Sequence, residues 1–242
     1  MELPFEYNVD FAVQADASDE LKDFRDEFYF PMMNDLPVIY LTGNSLGLQP
    51  RRTQDHILGE LEDWATFGVE GHFHARNPWF SYQDILTEQL ATLLGAKPSE
   101  VVSMNSLTTN LHLLMVSFYR PTKERFKIIC EYDAFPSDLY AVQSQAAFHG
   151  FDPEEAVIYL KPREGEHLLH TDDIIAAIKN AGSSLATVML GAVNYYTGQY
   201  FDLEKITEAA HSVGATCGYN LAHATGNVMM KLHDWKVDYA CF

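Results

Sequence analysis

From about residue 100 onward the chain alternates short apolar runs with amphipathic ones, and this alternation constrains the fold more than any other feature of the sequence. The runs EVVSMN, FKIICEYD, AVIYL, LATVMLGAV and ATCGYNL have the length and the β-branched or aromatic content of strands. Between them lie TTNLHLLMVSFY, opening near Thr108 or Thr109, and DLYAVQSQAAFHG, closed by Gly150; TDDIIAAIKNAG and DLEKITEAAHSVG follow, also with helical spacing. In the third of these helices Thr171 is the expected N-cap, with Asp172 and Asp173 in the first turn, where the helix dipole favours negative charge. Strands separated by helices of this length pair in parallel. The expectation is an α/β domain with a mostly parallel, doubly wound sheet.

Residues 1–60 read differently. FAVQADASDELKDFRDEFYFP is acidic and amphipathic, PVIYLTGNSLGLQP places a Gly/Asn/Ser turn after a short strand, and RRTQDHILGELEDWATFG resumes as helix. This is the pattern of an arm leading into a main domain over 61–242. A formal net charge of -18 argues against sequence-independent affinity for nucleic acid or an anionic membrane, either of which needs clustered Lys and Arg. The three cysteines (Cys130, Cys217, Cys241) are odd in number and sit in apolar runs, as reduced buried thiols of a cytoplasmic protein do. No apolar run approaches the roughly 18 residues needed to span a bilayer, and the start MELPFEYNVD has neither a basic nor an apolar signal region.

Polar and aromatic residues recur just after the expected strands, where an open α/β sheet binds ligands. In MNSLTTNLHLLM, Leu107, Thr108 and Thr109 stand at the mouth of a helix whose free amides suit a phosphate, although Thr before a helix is also an ordinary cap. In DAFPSD, Phe135 and Asp138 are an aromatic plate and a carboxylate suited to a flat heteroaromatic ligand; they also read as a core residue and an N-cap. VNYYTGQYFD adds a tyrosine pair and a turn at Gly198, and GYNLAHATGN adds Asn220 and His223. Sequence signatures for dinucleotides and nucleoside triphosphates are missing, since GNSLGL lacks the G-x-G-x-x-G spacing. In GHFHAR, His72 and His74 have a spacing that chelates metal from a strand, but no third ligand is near, so no metal is expected; His72 reads equally as a substrate-facing loop residue.

Taken together, YLTGNSLGLQP, MNSLTTNLHLLMVSFYRPT, DAFPSD, VNYYTGQ, NLAHATGN and LHDWKVDYACF resemble the blocks of kynureninase, in that family's order and spacing, from about residue 40 to the end. The resemblance implies an aminotransferase-like, pyridoxal 5'-phosphate (PLP) fold type I large domain, with residues 1–60 as an arm and small-domain segment. It also implies hydrolysis of kynurenine or 3-hydroxykynurenine to anthranilate or 3-hydroxyanthranilate and alanine, in tryptophan catabolism and NAD biosynthesis, by a homodimer in its full-length form. Leu107 and Thr108 match residues lining the cofactor phosphate, and Phe135 matches the aromatic stacked on the pyridine ring. Asp138 matches a carboxylate beside the cofactor, His223 matches the active-site histidine, and Ser45 and His72 match positions facing the substrate. A cysteine desulfurase-like enzyme of the same fold is disfavoured by the YYTGQ and FPSD blocks.

Two departures stand out. The family has Asp where this chain has Asn220, and that Asp pairs with the protonated ring nitrogen, which a neutral amide does only weakly. The family's cofactor lysine, in a Ser-Tyr-Lys segment, is expected about four residues past Phe242, together with the C-terminal small domain; Lys231 and Lys236 lie too early to replace it. Two readings follow: the N-terminal part of a kynureninase, or a decayed, inactive paralogue that at most binds PLP or dimerises.

Overall fold

The computed structural model describes residues 5–242, and the chain divides into two compact units, one ending at Tyr82 and the other spanning Gln83–Phe242. The first unit holds helices α1 (Val9–Ser18), α2 (Thr53–Phe67) and the single turn α3 (Gly71–His74), with a small hairpin of β1 (Met32–Met33) and β2 (Leu36–Pro37). Asn8 caps α1 by accepting from the Phe11 N–H at 2.7 Å. The hairpin turns on Asn34 and Asp35, both at positive φ (51° and 60°), the conformation that matches the right-handed twist of its strands and that Asn and Asp tolerate best. On α2, the buried Asp63 accepts from the Arg76 backbone N–H at 2.7 Å, while Glu60 accepts from Asn77 at 2.9 Å and from the Trp79 indole at 3.0 Å. Residue 60 therefore lies inside a helix.

The second unit contains α4 (Thr87–Leu94), α5 (Leu107–Phe118), β3 (Lys127–Glu131), α6 (Pro136–Phe148), α7 (Pro153–Ala156), β4 (Val157–Leu160), α8 (Thr171–Ala181), β5 (Leu185–Gly191), α9 (Leu203–Ser212), β6 (Thr216–Asn220) and β7 (Tyr239–Cys241). The five strands β3 to β7 form one sheet in the order β4-β3-β5-β6-β7, every pair parallel. Successive side chains point to opposite faces, and the apolar residues divide accordingly. Ile128, Cys130, Met189, Tyr239 and Cys241 pack with Leu111 and Met115 of α5 and Ala141, Val142 and Ala146 of α6. Ile129, Val188, Leu190, Cys217 and Tyr219 pack on the other face with Ile174 and Ile178 of α8 and Ile206 and Ala210 of α9. The sheet is thus covered on both faces, as a parallel sheet of near-continuous apolar strands requires.

Several local expectations are corrected. EVVSMN forms no strand: residues 101–106 run without a ladder partner, Val102 and Met104 are exposed, and Asn105 turns the backbone to φ 46°. Apolar content alone does not make a strand where no neighbouring strand supplies hydrogen bonds. For the same reason residues 38–41 form no strand, and Ile39 and Leu41 are exposed. Gly71–His74 is helical, so His72 and His74 do not share the face of a strand. Helix α8 begins at Thr171 itself, with His170 in the cap position, and α6 begins at Pro136, where a missing N–H costs nothing, so Asp138 lies within its first turn. Among the described residues no helix is long and apolar enough to cross a membrane.

Candidate active site

Because the strands are parallel, all their carboxyl ends share one edge. The chain leaves β3 for β4 on one side and returns to β5 on the other, so the connections diverge between the ends of β3 and β5, the place where an open α/β sheet has its ligand crevice. Phe135 follows β3 at the start of α6, half of its surface exposed (49%). Its ring meets the Tyr195 ring edge to face, with centroids 5.4 Å apart and planes at 90°. Tyr195 comes from the turn after β5, so the two aromatics meet above the ends of β3 and β5.

Asp138 (5% exposed) and Asn220 (7% exposed) are brought together at the same edge, the Asn220 Nδ2 donating to Asp138 Oδ2 at 2.7 Å. Asn220 ends β6, two strands from β3, and its register partner on the intervening β5 is Gly191. The Asn220 Oδ1 accepts from the Ala222 N–H at 2.8 Å, so both ends of the amide are engaged and its orientation is set. Asp138 Oδ1 is buried with no hydrogen-bond partner among the described residues. Burial pushes the Asp138 carboxyl above its ordinary range, and the Asn220 N–H opposes that shift.

Glu131 closes β3 and is buried to 2% exposure. Its carboxylate accepts from the Gly191 N–H at 2.6 Å and from Asn194 Nδ2 at 2.8 Å, joining the ends of β3 and β5 across the crevice. Burial raises the Glu131 carboxyl; the two donors lower it, and the nearby Asp138 charge raises it. Glu131 was not among the residues expected from sequence, although a lone charge ending the apolar run KIIC is the signal that marks it.

Leu107 and Thr108 occupy the first turn of α5, which packs against α6 on the Asp138 face of the sheet. Ser106, in the cap position, makes no side-chain cap and instead bonds the Thr109 hydroxyl at 3.1 Å. The first-turn amides of α5 therefore have no acceptor from the helix or its cap. His223 is half-buried in the turn that leaves β6, three residues past Asn220, and its carbonyl accepts from Asn227 Nδ2 at 3.1 Å. Ser45 and His72 belong to the first unit: the Ser45 N–H donates to the Thr42 carbonyl at 2.9 Å, and His72 Nδ1 lies 2.8 Å from the Val69 carbonyl with its ring against Trp79. Free amides at a helix mouth, a half-open aromatic face and an orphaned buried acceptor suit a phosphate, a flat ring and an N–H, the three features of PLP.

A parallel sheet of this order, covered on both faces, with a polar cluster at its carboxyl edge, matches the large domain of the type I fold of PLP-dependent enzymes. The cysteine desulfurase of Escherichia coli has that fold, superposing with a TM-score of 0.68 at 18% identity over 90% of this chain and 52% of its own. The chain belongs to the aminotransferase class-V family, whose model matches residues 39–242. It is 54% identical to the kynureninase of Flavobacterium psychrophilum over 238 residues, 98% of this chain and 56% of that protein. It is 58% identical to the kynureninase of Myxococcus xanthus over 237 residues, again 98% of this chain and 56% of the relative. The chain thus spans about half the length of the curated relatives it matches.

Proposed function

We propose that this chain provides the cofactor-binding large domain of a kynureninase-type PLP-dependent hydrolase, which cleaves kynurenine or 3-hydroxykynurenine as a homodimer. The observation that carries the reading is the Asp138–Asn220 contact at the carboxyl edge of the sheet, beside Phe135. Bound PLP would supply the electron sink for the carbanion formed at the substrate's Cα. In this reading the first turn of α5, with Leu107 and Thr108, binds the phosphate through backbone amides and a hydroxyl. Phe135 stacks on the ring and keeps water from that face. Asp138 holds negative charge beside the ring, and Asn220 orients it by donating from Nδ2. Because the Asn220 carbonyl already accepts from Ala222, the amide acts as a donor to Asp138 rather than as the ring's partner. His223 borders the ring from the turn after β6; for Ser45 and His72, in the first unit, the substrate-facing role rests on the resemblance alone.

Asn220 also supports a second reading, an inactive module that binds PLP without turnover, because this position lacks the family's charge. The test is a titration of the 242-residue chain with PLP by equilibrium dialysis, alongside Phe135→Ala and Asp138→Ala, followed by an assay for fluorescent anthranilate release from kynurenine by this chain joined to the remaining C-terminal part of the Myxococcus xanthus kynureninase. The proposal expects saturable PLP binding that weakens in both variants. Absence of saturable binding, or variants that bind as well as the parent, would overturn the site. Tight PLP binding by the joined protein with no anthranilate release would favour the module.

A further inference from the structure

Glu131 is a buried carboxylate that takes no part in the proposed contacts to cofactor or substrate, yet it bridges the two strands that flank the crevice. One oxygen accepts from the Gly191 N–H at 2.6 Å and the other from Asn194 Nδ2 at 2.8 Å. Asn194 is itself buried and organises the turn after β5. Its Oδ1 accepts from the Tyr196 N–H (3.0 Å), the Thr197 N–H (2.9 Å) and the Thr197 hydroxyl (3.1 Å), while its backbone pairs with Gln199 and Gly198 at 2.9 Å each. The residue at the head of that turn is Tyr195, whose ring abuts Phe135 at 90°. A set of hydrogen bonds therefore runs from the end of β3 through Asn194 into the turn that carries Tyr195, whose ring braces Phe135.

We propose that Glu131 is a positioning residue for the ring-stacking aromatic: by anchoring Asn194 it fixes the 194–198 turn and so holds Tyr195 edge-on against Phe135. The proposal rests on the reading of Phe135 as the residue that stacks on PLP. Hydrogen-bond direction makes the role specific to a carboxylate. Asn194 must turn its oxygen toward three donors in the turn, which leaves only N–H groups facing Glu131, so the residue at 131 has to accept from Asn194 and from Gly191 together. An amide at 131 has one accepting end. With Glu131→Gln, either the introduced amide faces the Asn194 amide donor to donor, or Asn194 flips and sets its NH2 against the N–H groups of Tyr196 and Thr197.

The same logic supplies a rescue. In the double variant Glu131→Gln/Asn194→Asp, the amide oxygen at position 131 accepts from Gly191 and the amide N–H donates to one carboxylate oxygen at position 194. The other carboxylate oxygen still receives the three turn donors. Charge moves from one position to the other and every bond is re-formed.

The experiment follows two readouts in the parent, Glu131→Gln, the double variant and Tyr195→Leu. The first is the ring-current shift that Tyr195 imposes on Phe135, read by NMR of the chain carrying 13C-labelled phenylalanine. The second is the PLP dissociation constant from equilibrium dialysis. Glu131→Gln should lose the shift, matching Tyr195→Leu, and bind PLP roughly three- to tenfold more weakly, the range expected when one aromatic contact is mis-set. The double variant should recover both. A shift retained in Glu131→Gln, or a double variant no better than the single one, would overturn the proposal; a general loss of folding would give the double variant no recovery. If the parent binds no PLP, the proposed function fails, while the ring-current readout still decides whether Glu131 positions Tyr195.

Discussion

Asn220→Asp is the most informative substitution, because it restores the residue expected from the kynureninase resemblance and also disrupts a contact that the structure contains. At present the Asn220 Nδ2 donates to Asp138 Oδ2 over 2.7 Å, and both residues are almost fully buried. The variant replaces that donor with a second carboxylate oxygen. Two carboxylates at this distance cannot both be ionised, so the pair must retain one proton near neutral pH. The retained proton bridges the two carboxylates in place of the amide N–H, so the cost is that of holding it in the folded chain, about 1.4 kcal/mol for each pH unit above the ordinary carboxylate value, up to the raised folded one. A net loss on the order of 3 kcal/mol at pH 8 is expected. For a unit of this size that lowers the melting temperature by about 6–12 °C.

The sign of the pH dependence follows from the direction of the shift. Burial already holds the Asp138 carboxyl above its ordinary value, and the second carboxylate raises the folded pair further. Stability that depends on the bound proton is fully present below the unfolded carboxylate range and is lost as pH rises through the raised folded value. The deficit of the variant should therefore be small near pH 5 and should widen toward pH 8. The assay is urea unfolding of parent, Asn220→Asp and Asn220→Ala across that range; the alanine variant removes the donor without adding a second carboxylate, so its deficit should widen with pH less than that of Asn220→Asp. PLP should raise the melting temperature of Asn220→Asp more than that of the parent, because a ring N–H brings positive charge to the paired carboxylates. A deficit independent of pH, or an Asn220→Asp variant as stable as the parent at pH 8, would refute the reasoning.

Gly218 faces the ring of Tyr239 on the adjacent strand, and a Cβ there would lie 2.1 Å from that buried ring. Gly218→Ala should therefore cost at least about 1–3 kcal/mol through overpacking, measured as a shift in the urea midpoint at constant m-value; an unchanged midpoint would mean that β7 is free to move aside. Cys130, Cys217 and Cys241 are all buried, and burial pushes each thiol up to about 12. None should react with a disulfide reagent at pH 8 in the folded chain and all three should react in urea; fast labelling of one thiol without denaturant would mark local opening of its strand.

Much of the second unit was legible in the chain because helix and strand periodicity are local. The runs KIIC, VIYL, LATVML and TCGY stand in the sheet where alternation with helices put them, and the parallel pairing follows from the length of each crossover. Phe135, Asp138 and Asn220 could be picked out as residues just past strand ends. Which of them would touch could not be read, since Asp138 and Asn220 are 82 positions apart and their hydrogen bond exists only once β3, β5 and β6 lie side by side. The same limit explains why Val102, Met104, Ile39 and Leu41 read as strand and are not: a strand is defined by its neighbour's hydrogen bonds, and residue type records only the capacity to make them. Glu131 is the clearest case. Its charge is plain in the sequence, but its work depends on donors 60 and 63 residues away, and only the packed sheet brings Gly191 and Asn194 within reach of a carboxylate that water no longer solvates.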